Sequence, residues 1–199
     1  MVFVKLCGMN SEAAVAAALE AGADALGFVF APSVRRVAPA EARRLAAPAR
    51  GRASCVAVML HPTAAEVGEV MQQFAPDALQ TDWSDEAVLS AEARRIWWPV
   101  LRSDRALPLS LPARVLFEGP VSGAGEAADW TMARSLASTT QLILAGGLHS
   151  GNVATAIRAV QPFGVDVSSG IESEPGRKCA TRIHEFVRAA RAAAAEKPA

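Results

Sequence analysis

The sequence predicts a closed (β/α)8 TIM barrel, a single phosphate-binding domain over residues 1–199, on three observations. Short runs rich in Val, Leu, Ile and Phe alternate with Ala-rich helical patterns along the chain, at the interval of a repeating strand–helix unit. Each run is apolar enough to be covered on both faces, as parallel strands are. Near the end, two successive strands run straight into glycine turns, Leu142-Ile143-Leu144-Ala145-Gly146-Gly147-Leu148 and Val165-Asp166-Val167-Ser168-Ser169-Gly170. With 199 residues, 51% of them hydrophobic, the chain can bury one substantial core and would be cramped as two domains.

The first strand is expected at Phe3 to Cys7, where alternation puts Phe3, Lys5 and Cys7 on one face and Val4 and Leu6 on the other. The face with polar groups is taken to point into the barrel, with Cys7 at its mouth. A helix should stop at Gly22, before a second strand over Ala25 to Phe30, and Pro39 suits the first turn of the next helix. The third strand covers Ser54 to Leu60. Thr63 and Glu66 then form a capping box ahead of Val67, Val70, Met71 and Phe74 at helical spacing. After the fourth strand, Ala78 to Thr81, the stretch from Asp82 to Leu107 leaves little room for a full helix. Trp97-Trp98-Pro99 and the brief Asp85 to Glu92 pattern predict a short or irregular helix between strands four and five. The remaining strands are Pro99 to Arg102, Arg114 to Glu118, Gln141 to Ala145 and Gly164 to Ser168. A last helix places Ile183, Phe186, Val187 and Ala190 on one stripe against the sheet, and Arg191 to Lys197 is expected to fray.

Twenty Lys+Arg balance twenty Asp+Glu, which leaves no electrostatic footprint for nucleic acid or an anionic membrane. The N-terminus lacks a basic n-region and a long apolar h-region, and no apolar run is long enough to span a bilayer. A cytoplasmic protein is expected. Cys7, Cys55 and Cys179, with His61, His149 and His184, are scattered without ligand spacing, so neither a disulfide framework nor a metal site is expected.

The two glycine turns would leave backbone N–H groups uncovered at strand ends beside helix starts, where an anion is held by aligned donors. Gly146, Gly147, Ser168, Ser169 and Gly170 are therefore candidate phosphate ligands, and the expected partner is a small phosphorylated substrate. At the mouth, Cys7 is a candidate base or nucleophile with Lys5 one pleat below favouring the thiolate; the alternative is a small buried thiol beside Gly8. Glu118, sharing a face with Leu116, is a candidate general acid.

These residues converge on a family. The chain resembles phosphoribosylanthranilate isomerase of tryptophan biosynthesis over nearly its whole length. The matches are Val4-Lys5-Leu6-Cys7-Gly8-Met9, Gly27-Phe28-Val29-Phe30 with Ser33-Val34-Arg35, Asp129-Trp130, Leu144-Ala145-Gly146-Gly147-Leu148 to Asn152-Val153, and Val165 to Glu172 with Pro175-Gly176 and Lys178. The resemblance implies a cofactor-free Amadori rearrangement that opens the ribose ring and moves a proton. Carried over, Cys7 is the base at sugar C2, Glu118 stands where the family has its acidic aspartate, and the glycine turns hold the phosphate. Arg35 meets the anthranilate carboxylate, with Arg36 adjacent as an alternative. Asp166 holds sugar hydroxyls or pairs with Lys5. The chain departs from the family at Glu118, at Asp82 where a histidine is usual, at Cys179 where an aspartate is usual, and in lacking a proline between Ser33 and Arg35. The related isomerase of histidine synthesis would need an aspartate where Cys7 stands, an epimerase of this class would need metal ligands, and a barrel kept only as a binding module is the non-enzymatic alternative. Monomer and homodimer both remain open.

Overall fold

The computed structural model describes residues 1–120 and 128–196. Eight parallel strands close into a barrel in chain order: β1 (Phe3–Cys7), β2 (Ala25–Val29), β3 (Ser54–Val58), β4 (Ala78–Asp82), β5 (Trp97–Arg102), β6 (Arg114–Glu118), β7 (Gln141–Leu144) and β8 (Gly164–Val167). Closure comes from β1 pairing with β8, which sets Phe3 beside Gly164 and Lys5 beside Asp166. Gly164 is required there, because a Cβ would lie 2.8 Å from the Phe3 carbonyl oxygen.

Helices α1 (Glu12–Glu20), α2 (Pro39–Ala46), α3 (Ala64–Gln73), α4 (Ala91–Arg95), α5 (Trp130–Ala137), α6 (Val153–Val160) and α7 (Ala180–Ala195) surround the barrel. The α3 capping box forms as expected: Thr63 accepts from the Glu66 amide, and Glu66 accepts from the Thr63 amide. Pro39 opens α2, and Gly22 follows α1 with φ +79°. Between β4 and β5 the connection is short, a 3-10 turn at Trp83–Val88 followed by the five-residue α4. The link from β5 to β6, residues 103–113, carries no helix. Trp97 and Trp98 join β5 ahead of Pro99, since one missing N–H removes a single ladder bond while the flanking residues pair with β4.

Alternation sorts the side chains into two cores. Val4, Leu6, Leu26, Phe28, Phe117, Leu142 and Val165 face outward and meet the helices, with Ile183, Phe186, Val187 and Ala190 of α7 buried among them. Inward-facing Ala25, Val56, Ala78, Val100, Leu116 and Ile143 fill the lower barrel around Phe3 and Trp98. The expected fraying from Arg191 is corrected. Helix α7 runs to Ala195, because the Arg191 guanidinium bonds the Val2 and Gly22 carbonyls and, at 2.7 Å, Asp24; Lys197 lies outside the described residues. No helix among the described residues is long and apolar enough to cross a membrane.

At the amino end of the strands, the Arg114 guanidinium stands 5.4, 4.9 and 4.7 Å from the ring centres of Phe3, Trp98 and Phe163. It plugs the barrel floor by cation–π attraction, and burial lowers its pKa. Arg114→Ala should therefore destabilise the fold by about 1–2 kcal/mol in urea unfolding. Turnover should be unchanged, since the plug lies at the end of the barrel opposite the strand carboxyl ends.

Candidate active site

The carboxyl ends of the strands surround an open pocket of about 190 Å³. Its wall includes Cys7 from β1, Arg35 after β2, Gln80 and Asp82 from β4, Arg102 from β5, Glu118 from β6, and Asp166 and Ser168 from β8. Val58, Met59, Leu60 and Val100 supply apolar surface. Five of the residues singled out from sequence thus meet in one cavity. Gly146, Gly147, Ser169 and Gly170 are not part of that wall but form a ledge beside it.

The ledge is built by two turns pressed together. Gly146 and Gly147 take φ +88° and +62° after β7, a left-handed geometry that suits glycine, and Asn152 holds the Gly147 carbonyl at 2.9 Å. Ser169–Ile171 form a 3-10 turn after β8, where a Cβ on Gly170 would run into the Leu148 carbonyl oxygen. The second glycine is thus explained by close packing of one turn on the other.

Beneath the mouth, Lys5 is wholly buried and its Nζ bonds Asp166 Oδ1 at 2.8 Å. Of the two roles open to Asp166, pairing with Lys5 is therefore realised. Burial alone would lower the Lys5 pKa, but Asp166 and then Cys7 outweigh it and the net direction is up. Gly27 makes room for this group, since a Cβ there would lie 2.9 Å from Cys7 Sγ and 3.2 Å from Lys5 Nζ. Lys5 pulls the Cys7 thiol toward the thiolate, as expected, and Lys178 helps, but burial together with Asp166 outweighs them and the net direction of the thiol pKa is up.

A second ion cluster stands beside the first. A short hairpin, β9 (Glu172–Glu174) and β10 (Arg177–Lys178), turns at Gly176 and brings Lys178 back over Ser168. Lys178 Nζ donates to the Ser168 carbonyl at 3.0 Å, to Ser168 Oγ at 3.3 Å and to Glu172 at 2.7 Å. Glu172 also accepts from Arg35 Nε at 2.7 Å and Nη2 at 2.8 Å. Despite burial, these donors hold its carboxyl down to about 2. Arg35 is thereby set in the pocket wall, whereas Arg36 is exposed and outside it.

On the opposite rim, Arg102 donates from Nε and Nη2 to both oxygens of Asp82 at 2.9 Å, and from Nη1 to Glu118 at 2.8 Å. His61 stands outside with Nδ1 2.8 Å from Asp85, which also receives the Thr81 hydroxyl. His61, Asp82 and Asp85 bring possible ligand atoms within 4.8 Å of one another. Arg102 already engages the Asp82 carboxylate and Thr81 that of Asp85, so a cation would have to compete with both. Cys179 begins α7 without a side-chain cap, as the loss of an aspartate there implies.

Sequence reasoning assigned no role to Gln80, Asp82, Arg102, Glu172 or Lys178. Alternation along β4, which extends to Asp82, and along β5 is the signal that could have found the first three; nothing local shows which charge each would meet.

A profile of the N-(5'-phosphoribosyl)anthranilate (PRA) isomerase family matches residues 4–189. An N-(5'-phosphoribosyl)anthranilate isomerase of Mesorhizobium japonicum is 39% identical over 98% of each chain, and one of Roseiflexus castenholzii is 38% identical over 97% of this chain and all of that one. The crystal structure of phosphoribosyl anthranilate isomerase from Thermotoga maritima superposes with a TM-score of 0.83, at 30% identity over 96% of this chain and 100% of that one. A phosphoribosyl anthranilate isomerase in complex with reduced 1-(o-carboxyphenylamino)-1-deoxyribulose 5-phosphate superposes with a TM-score of 0.80 at 28% identity, over 96% of this chain and all of that one.

Glu172, depressed to about 2 from an ordinary 4.5, stabilises the fold above its unfolded value, and that contribution is lost as pH falls through the folded one. Thermal unfolding should show the loss between about pH 5 and pH 2. Glu172→Gln should be less stable near neutrality and should flatten that slope.

Proposed function

The chain belongs to the N-(5'-phosphoribosyl)anthranilate isomerase family and catalyses that isomerisation in tryptophan biosynthesis, and from this premise we propose how its own side chains carry the reaction. Cys7 is the base and Glu118 the acid. The observation that carries this reading is their place in one pocket wall, at the ends of β1 and β6, with Arg35 and Ser168 in the same wall.

The substrate phosphate rests on the ledge of Gly146, Gly147, Ser168, Ser169 and Gly170, where backbone amides and a serine hydroxyl meet its charge. Glu172 occupies Nε and Nη2 of Arg35, and Nη1 turns to the anthranilate carboxylate. Glu118 gives a proton to the ribose ring oxygen. The C1–O bond breaks with its electron pair going to oxygen, and the nitrogen lone pair forms a C1=N iminium. The Cys7 thiolate then takes the C2 proton; the C–H electrons become a C1=C2 bond, and the C1=N pair returns to nitrogen. Protonation at C1 with loss of the enol proton yields the deoxyribulose ketone. Both transfers run between side chains and substrate, without a metal or organic cofactor.

Glu118 is one methylene longer than the aspartate of the resemblance, which moves the carboxyl by roughly 1 Å or more. Arg102 fixes it by the 2.8 Å bond, and Asp82 offsets the charge of Arg102. Glu118 thus meets a donor that Asp82 holds in place from the other side. Residues 1–199 act as one domain, a monomer or homodimer in the cytoplasm, with neither nucleic acid nor membrane as partner.

Cys7→Ala should lower turnover by about 10²–10⁴ with substrate affinity kept, and a fully active variant would exclude the thiol as base. Arg35→Ala should raise KM. Since burial raises the Cys7 pKa above its ordinary value, the rate should keep climbing with pH through the alkaline range as the thiolate forms. Glu118→Gln should lose most activity and Glu118→Asp should keep some; equal activity in all three would move the acid elsewhere.

A further inference from the structure

Gln80 poses a question the two proton transfers leave unanswered. Its side chain is 6% exposed, and Oε1 is fully buried without a hydrogen-bond partner. Such an orphan is destabilising, because folding strips its water and returns nothing. Trp97 and Trp130 also bury an unpartnered indole N–H, but they pack in the strand–helix layer. Of these three orphans among the described residues, Gln80 alone lines the pocket. It stands on the inward face of β4, below Asp82, between Val58 of β3 and Trp98 of β5 in register.

We propose that Gln80 is a substrate-binding residue whose Oε1 accepts a hydrogen bond from the arylamine N–H of the bound substrate; this rests on the reading above. The strand order assigns the donor. β4 lies midway between β2, whose following loop carries Arg35, and β6, which ends in Glu118; β8 and the phosphate ledge lie across the barrel. The substrate's covalent order is carboxylate, aryl ring, nitrogen, C1, ring oxygen. With the carboxylate on Arg35 and the ring oxygen at Glu118, the group falling over β4 is the nitrogen on C1. Apolar Val58 and Val100 flank the site, so the donor reaches an acceptor screened from water. The bond also strengthens along the reaction. When the C1–O bond breaks, the nitrogen becomes an iminium, its N–H turns more acidic, and a neutral carbonyl acceptor gains from the positive charge. A carboxylate in place of the amide would put a third negative group beside Asp82 and Glu118.

The test uses Gln80→Leu and, as a second side chain of similar length, Gln80→Met, each compared with the unaltered protein in thermal unfolding, kinetics and binding of reduced 1-(o-carboxyphenylamino)-1-deoxyribulose 5-phosphate, which retains the amine N–H. Removing an orphan acceptor should leave the melting temperature unchanged or raise it. The same variants should bind the analogue about 10-fold more weakly and lose about 10–100-fold in kcat/KM, much of it in kcat. Inorganic phosphate, which reports the ledge alone, should bind as before. A variant that melts lower and binds the analogue as tightly as the unaltered protein would overturn the proposal, showing Gln80 to be structural. Failure of the unaltered protein to bind the analogue would instead remove the functional reading, and this assignment with it.

Discussion

The buried pair of Lys5 and Asp166 is the constraint on which the upper barrel depends. Isolated, either charge would be costly in a buried, low-dielectric setting; together, 2.8 Å apart on adjacent strands, each meets its counter-charge. Their contact ties β1 to β8 where the barrel closes and places a cation beneath Cys7, and the Cys7 thiol with the Lys5 ammonium leaves no space for a side chain on Gly27. A lysine in one apolar strand and an aspartate in another therefore answer one requirement, and the bare glycine in a third makes room for the lysine and for Cys7.

Around that pair the site is assembled from charge held in place rather than charge left mobile. Lys5, Arg35 and Lys178 face Asp166 and Glu172, an excess of one positive charge about the Cys7 thiol. A thiolate would complete the balance, while burial resists its formation. That opposition suits the role of base proposed for Cys7, which would give up its proton to act and recover it afterwards. On the far rim, Asp82 and Arg102 do for Glu118 what Glu172 does for Arg35: a partner grips one edge of the guanidinium and leaves another for the neighbour. The aspartate at position 82 is what pairs Arg102.

Much of the architecture was legible because strand and helix periods are local. The eight runs, the Thr63–Glu66 box, Pro39 and Gly22 each act within a few residues, and each appears where those few residues placed it. The misreadings came from contacts distant in the chain. Arg191 looks like the start of a fraying tail until Val2, Gly22 and Asp24 are seen to accept its protons. The pull of Lys5 on Cys7 acts in the expected direction, but how far the burial of the thiol outweighs it was not visible in the chain.

By itself, then, the sequence determined the barrel, the inward facing of Cys7, Asp166 and Glu118, and the two glycine turns, because alternation and turn chemistry need only near neighbours. Only the tertiary structure decided the pairings. It separated Arg35 from Arg36, joined Asp82 to Arg102 across 20 residues and Arg35 to Glu172 across 137, and left the Gln80 oxygen without a partner. Electrostatic energy depends on distance and on the surrounding dielectric, and neither exists until the strands have closed.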